Sequence, residues 1–256
     1  MPGLGLGLSL KRSRRIITPG FNPLSLSPAL WYDASDLSTL YQNSGLTTPA
    51  SADGDPVAGW KDKSGGGYHA TQTDTTKRAS LRLAIKNGKP IVRFNGSTSR
   101  LSHLLTLSAA STVVGVFNVT SAAGGVHKLV CCSPANTAIK AQFMAKITGV
   151  NQWGGYWNSF RSSGITSLNT WNIGTITDSG AGTVNMYNNG AASPVATFTS
   201  QTYYTDVTHD RRCVGGHPGG ELLTGDIAEI LVIPGVISAG NLASLSSYLN
   251  SKWGVY

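Results

Sequence analysis

The sequence predicts an all-β protein: one two-sheet antiparallel β-sandwich with a short C-terminal helix, preceded by an extended N-terminal arm. Three observations carry that prediction. Only 12% of the 256 residues are charged, against about 25% in an average soluble domain, which leaves little Glu and Lys for solvent-facing helix. The 31 glycines, with abundant Ser, Thr and Asn, supply the positive-φ and Asx-turn positions that many short strands need. From Leu30 onward, short apolar runs alternate with turn signals at the spacing of a sandwich.

The arm comes first in the chain. Residues 1–29 carry Gly or Pro every few positions and hold neither a helical nor a strand period, so they cannot build a core. Yet Leu4, Leu6, Leu8, Leu10, Ile16, Ile17 and Phe21 are too apolar for an ordinary solvated linker. An arm that docks its leucines on a partner satisfies both facts, with glycines letting the backbone lie close. A frayed terminus is the alternative. Lys11, Arg12, Arg14 and Arg15 supply half of the formal charge of +8, and no acidic residue precedes Asp33. Such a cluster suits something acidic: nucleic acid, an acidic protein surface or anionic lipid, unless it is merely a solvated basic tail. Base-stacking aromatics do not interleave with these residues, so specific nucleic-acid recognition is not expected. Basic residues that follow the Gly-Leu repeats, and prolines at 19, 23 and 28, support neither a secretion signal nor a membrane span.

Residues 30–256 form the body. The expected strands are Ile91 to Phe94, Thr112 to Val119, Lys128 to Cys132, Gln142 to Ile147, Trp171 to Ile176, Val184 to Tyr187 and Ile227 to Ile233. Asn87-Gly88, Asn95-Gly96 and Asn189-Gly190 mark tight turns. The runs at 112–119 and 227–233 are nearly continuous in apolar residues, as in strands covered on both faces, and should be central. One helix is predicted at the C-terminus, where Leu242, Leu245, Leu249 and Trp253 recur every three to four residues behind a Ser238 N-cap, with Lys252 in the last turn and Gly254 beyond. Cys131, Cys132 and Cys213 show no metal-ligand spacing; adjacent cysteines in a strand point to opposite faces, so all three read as reduced, small apolar side chains.

Four segments, in order, resemble a known group. Trp31-Tyr-Asp-Ala-Ser-Asp36, Gly54-Asp-Pro-Val-Ala-Gly-Trp-Lys-Asp-Lys-Ser-Gly65 with His69-Ala-Thr-Gln72, and Gly88-Lys-Pro-Ile-Val-Arg-Phe-Asn-Gly96 resemble the opening of LamG-like jelly rolls of the concanavalin A-like lectin/glucanase type. Gly225-Asp-Ile-Ala-Glu-Ile-Leu-Val-Ile233 and the helix to Lys252-Trp-Gly254 resemble their closing strand and terminal helix. Such domains often occur in phage and bacterial surface proteins. The resemblance therefore implies a non-enzymatic structural protein of a tailed-phage virion, at the virion surface, held to capsid or tail proteins by its arm. Head decoration and tail-fibre attachment are both open. It also implies a homo-oligomer, with a trimer the form small surface jelly rolls often take. A carbohydrate-binding, lectin-like module for host glycans is the alternative.

Each acidic motif has a physical role without the family. Asp62, after Trp60, should accept backbone N–H bonds in the Gly65 to Gly67 turn, and Asp226 should do likewise after Gly225. Glu229 alternates with Ile227 and Leu231 and so is expected to be edge-exposed or paired with an arginine such as Arg93. Glycan hydrolysis needs two carboxylates roughly 5 to 10 Å apart; the chain has only Glu221 and Glu229 as glutamates and no Glu-x-Asp-x-Glu arrangement, so it is read as no enzyme. Asp206, His209 and Asp210 lie close in sequence but lack a nucleophile elbow, and read as surface loop. No metal or cofactor is expected, although Asp53 and Asp55 could offer two carboxylates to calcium, as some members of the group do at the sandwich rim. The best candidate glycan surface is Trp153, Tyr156 and Trp157 as an aromatic platform, with Asn151, Gln152 and Asn158 as hydrogen-bond partners; Tyr203 and Tyr204 invite the same reading. The alternative is that these aromatics pack between strands.

Overall fold

A computed structural model describes residues 20–107, 110–121, 125–133, 137–138, 143–146, 151–157, 159–202, 205–206, 210, 212–216 and 218–256. Leu4, Leu6, Leu8, Lys11, Arg12, Arg14 and Arg15 lie outside the described residues, as do Asn158, Tyr203, Tyr204 and His209.

Two antiparallel sheets face one another. In the first, the order is Ala196–Phe198, Val184–Asn188, Asn172–Asp178, Ser111–Val119, Thr224–Pro234, Lys89–Asn95, Ala79–Lys86 and Pro56–Val57, with Leu30–Asp33 also paired to Thr224–Pro234. In the second it is Phe160–Thr166, Gln152–Tyr156, Phe143–Lys146, Val126–Cys131, Cys213–Val214, Leu101–Ser102, Ala70–Thr71, Gly59–Trp60 and Leu40–Tyr41. The two apolar runs expected to be central are so: Ser111–Val119 and Thr224–Pro234 are neighbours in the middle of the first sheet. Asn87-Gly88, both at positive φ (49° and 69°), turns the chain between Ala79–Lys86 and Lys89–Asn95, as a two-residue hairpin demands.

Alternation sorts the residues into two cores. Val113, Phe117, Val119, Ile227, Ile230 and Val232 point between the sheets, where they meet Trp60, Phe94, Phe143 and Trp153. Val114, Val116, Ile91, Ala228, Leu231 and Ile233 point the other way and are covered by the C-terminal helix. That helix, Ala239–Trp253, starts where Ser238 accepts a bond from the Asn241 N–H and ends at Gly254 in the left-handed conformation, φ 59°. Leu242, Leu245, Leu249 and Trp253 are its buried stripe, each side chain contributing about 1.5 to 3 kcal/mol through the apolar surface it hides.

Facing glycines make room in the inner core. Gly115 and Gly174 are register partners on adjacent strands, and a Cβ on either would stand 2.6 or 2.7 Å from the Phe143 ring. Phe143 thereby sinks into the opposite sheet and packs edge-on against Phe117 and Trp153, both at a centroid distance of 5.2 Å.

Candidate functional site

The acidic motif residues meet first, and they meet under the helix. Residue 228 is the extra residue of a β-bulge between Ile227 and Glu229, which turns Ile227 inward and leaves Glu229 on the outer face with Leu231. This corrects the expectation for Glu229: it is fully buried rather than at an edge, and its partner is not Arg93. Its carboxylate accepts the indole N–H groups of Trp31 (2.8 Å) and Trp253 (2.7 Å) and a bond from Lys252 Nζ (2.8 Å). Asp33 stands directly opposite Glu229 in the ladder. Two like charges so placed repel, and Lys252 bridges them, its Nζ lying 2.7 Å from Asp33 Oδ1. Lys63 ties Asp33 to Asp36, at 2.9 Å from each. Burial pushes the Glu229 carboxyl up, and the Asp33 charge adds to the rise against the pull of Lys252. For Asp33, burial acts upward too, but the charge and hydrogen bond of Lys252, with Ser35 and Lys63, hold it below the usual carboxylate range. This carboxylate pair is sealed by the helix, so it fastens the helix to the sheet and offers no bond to a substrate.

Asp62 behaves as expected. It accepts the Ser64 and Tyr68 N–H groups around the glycine turn and also the Trp31 N–H, at 2.8, 3.1 and 2.9 Å. His69 Nδ1 accepts the Asp62 N–H, so the whole motif closes on itself. Asp226 does not cap a turn; it pairs with Arg93 side by side, at 2.6 and 2.9 Å. Asp53 accepts from Arg82 Nε and the Leu83 N–H, and Asp55 from the Ser51 and Ala52 N–H groups, so the protein's own donors engage both carboxylates. Among the described residues no group of three metal-binding side chains exists. Cys131, Cys132 and Cys213 are buried and unbridged.

The aromatic platform separates. Trp153 and Trp157 are 0% and 2% exposed, and their N–H groups bond to Asn188 Oδ1 (3.2 Å) and Asp178 Oδ2 (3.0 Å). Their ring faces are buried against the sandwich interior and cannot stack on a sugar. Residues 153 and 157 share strand parity, whereas Tyr156 points to the other face, where it is partly exposed.

A different concavity is open. On the outer face of the first sheet, one pleat beyond the area the helix covers, Ser80, Arg93 and Asp226 form a row in register with Asn118. Around this row lies a cleft of about 440 Å³, lined by Arg78, Ser80, Arg93, Phe94, Asn95, Ser99, Thr120 and Thr224. Its walls are fixed locally. Asn95 Oδ1 accepts the N–H groups of Ser97, Thr98 and Ser99 at 3.0, 2.9 and 3.0 Å, and Thr98 Oγ1 donates to the Thr76 carbonyl. The Thr120 N–H donates to the Thr224 carbonyl at 2.9 Å. Arg78 ends a short turn, Thr75–Lys77, capped by Asp74. Lys77 is consumed by Asp74 at 2.5 Å, and Arg93 by Asp226, whose hydrogen bonds raise the Arg93 pKa further. Arg78 is left over: its Nε is buried without a hydrogen-bond partner, a state that costs about 1 to 3 kcal/mol until an acceptor arrives. Asn118 Oδ1, beside the row, is likewise buried and unpartnered. The cleft thus offers a guanidinium fork, hydroxyls and an amide, with no exposed aromatic face among the described residues that line it. Sequence reasoning missed it because its lining comes from four separated segments, and of these residues only Arg93 had drawn notice for its charge.

No family model matches the chain, and no curated protein matches it. Solved structures do. A Trypanosoma rangeli sialidase in complex with the inhibitor DANA is 14% identical with a TM-score of 0.51, over 77% of this chain and 31% of that one. The ligand-binding domain of botulinum neurotoxin serotype D, in complex with N-acetylneuraminic acid, is 12% identical with a TM-score of 0.54, over 87% of this chain and 51% of that one. The receptor-binding domain of botulinum neurotoxin D is 11% identical with a TM-score of 0.53, over 88% and 53%. The chain thus spans from about a third to about half of these proteins, and at such identities the likeness is one of fold.

Proposed function

We propose that this chain is a non-catalytic, lectin-like module that binds glycans. The observation that carries the reading is the cleft around Arg78, a preformed polar concavity on a sandwich scaffold whose donors and acceptors match the hydroxyls and charged groups of a sugar. The fold likeness to a toxin domain solved with N-acetylneuraminic acid supports it. A non-catalytic role fits the one buried carboxylate pair described above, Asp33 and Glu229, being spent on Lys252 and two indoles. Glycan-array screening of the full chain, followed by titration of the hits, tests the reading. Binding that Thr224→Trp blocks, by filling the cleft, supports it; absence of binding to any glycan refutes it.

A second reading keeps the arm in view. The basic, leucine- and glycine-rich residues 1–29, together with the LamG-like resemblance, favour a structural protein of a tailed-phage virion, displayed on the particle surface and anchored by its arm to capsid or tail proteins as a homo-oligomer. Both readings hold together if the arm attaches the protein and the body binds the glycan. Crosslinking in the native particle tests the second: recovery of the chain without capsid or tail neighbours refutes it.

A further inference from the structure

We propose that the cleft selects sugars bearing a carboxylate, and that Arg78 is the residue that reads the acid. The inference rests on the reading of the cleft as a glycan site and names its ligand class.

Of the two arginines lining the cleft, Arg93 has both oxygens of Asp226, and the adjacent Lys77 has Asp74. Arg78 has no acidic partner among the described residues, and its Nε is both buried and without an acceptor. One uncompensated positive charge therefore remains in a semi-enclosed space. A guanidinium presents N–H donors in a flat fork that two oxygens of a carboxylate match side by side. A singly charged acid neutralises that surplus, whereas a phosphate dianion would leave a further negative charge in the cleft beside Asp226. The remaining lining is Ser80, Asn95, Ser99, Thr120 and Thr224, with Phe94, whose ring is buried in the inner core. Hydroxyls and an amide recognise a polyhydroxylated scaffold, and a volume of about 440 Å³ suits one sugar ring with its substituents. Among the described residues that line the cleft no aromatic face is exposed to favour neutral sugars by stacking, so discrimination falls to the guanidinium.

The test is titration of the full chain, by calorimetry and by NMR, with glucuronate and N-acetylneuraminate, their neutral counterparts glucose and N-acetylglucosamine, and acetate and inorganic phosphate. The acidic sugars should bind about tenfold or more tightly than the neutral ones, as a charge-assisted pair implies, and should weaken as salt rises. Arg78→Gln should remove that preference. Arg78→Lys, which keeps the charge but not the fork, should fall between the two and guards against a folding defect. Equal affinity for acidic and neutral sugars, with Arg78→Gln harmless, overturns the assignment of Arg78 while leaving the glycan reading intact. Acetate or phosphate binding as tightly as the acidic sugars overturns the sugar class, and no binding by any sugar overturns both.

Discussion

Glu229→Ala should be among the most damaging single substitutions in the body, and its cost can be worked from the contacts. The residue is fully buried and holds three donors at 2.7 to 2.8 Å: two indole N–H groups and the Lys252 ammonium. Truncation strands both indoles, each unsatisfied donor being worth about 1 to 3 kcal/mol, while Lys252 keeps Asp33 at 2.7 Å and so is not wholly abandoned. Relief of the repulsion between Glu229 and Asp33 returns part of the loss. Removing one partner from a buried ion pair typically destabilises by about 3 to 5 kcal/mol, and the net here should fall near the lower end, about 3 kcal/mol. Glu229→Gln keeps the volume and one acceptor oxygen, and should lose about half as much. The assay is urea unfolding followed by tryptophan fluorescence, with limited proteolysis reporting release of the helix that carries Trp253. Lys252→Met and the double variant complete a cycle whose coupling should exceed about 1 kcal/mol. A loss below about 1 kcal/mol for Glu229→Ala, with the helix still protected, would refute the view that this network fastens the helix.

Other outcomes follow from the same structure. Gly115→Ala or Gly174→Ala drives a methyl into the Phe143 ring and should lower the urea midpoint by an amount equivalent to about 1 to 3 kcal/mol; either paired with Phe143→Leu should recover part of it, and a neutral single variant contradicts the packing. His103 is buried, and burial first, then the Arg212 charge, lowers its pKa from 6.5 to about 4. The unfolded chain therefore takes up this proton at higher pH than the folded one, so the stabilisation is complete above pH 6.5 and is lost as pH falls towards 4, by on the order of 3 kcal/mol. His103→Gln should flatten the stability profile by about one proton in that window; an unchanged slope removes the argument. Deleting residues 1–20 should leave the body's unfolding transition in place but stop incorporation into any native assembly, and normal incorporation would end the anchoring hypothesis.

Local chemistry makes much of this fold legible in the sequence. Apolar runs, Asn-Gly turns and the 3.6-residue stripe behind Ser238 determine the strands, hairpin and helix, because hydrogen bonding and side-chain period are properties of neighbouring residues. The same parity could have shown that Trp153 and Trp157 share one face and that Tyr156 takes the other, which weakens the aromatic platform even from sequence. Tertiary structure alone decided the rest. The bulge at residue 228 shifts Glu229 by one pleat, from an expected edge to a buried seat between Trp253 and Trp31, the latter 198 residues before it in the chain. A bulge depends on what the partner strands can accommodate, and nothing within 227–233 announces it. The cleft is a stronger case. Arg78, Asn95, Thr120 and Thr224 come together only because four strands align in register, and whether an arginine there is neutralised, as Arg93 is, or left over, as Arg78 is, depends on which acid the fold brings beside it.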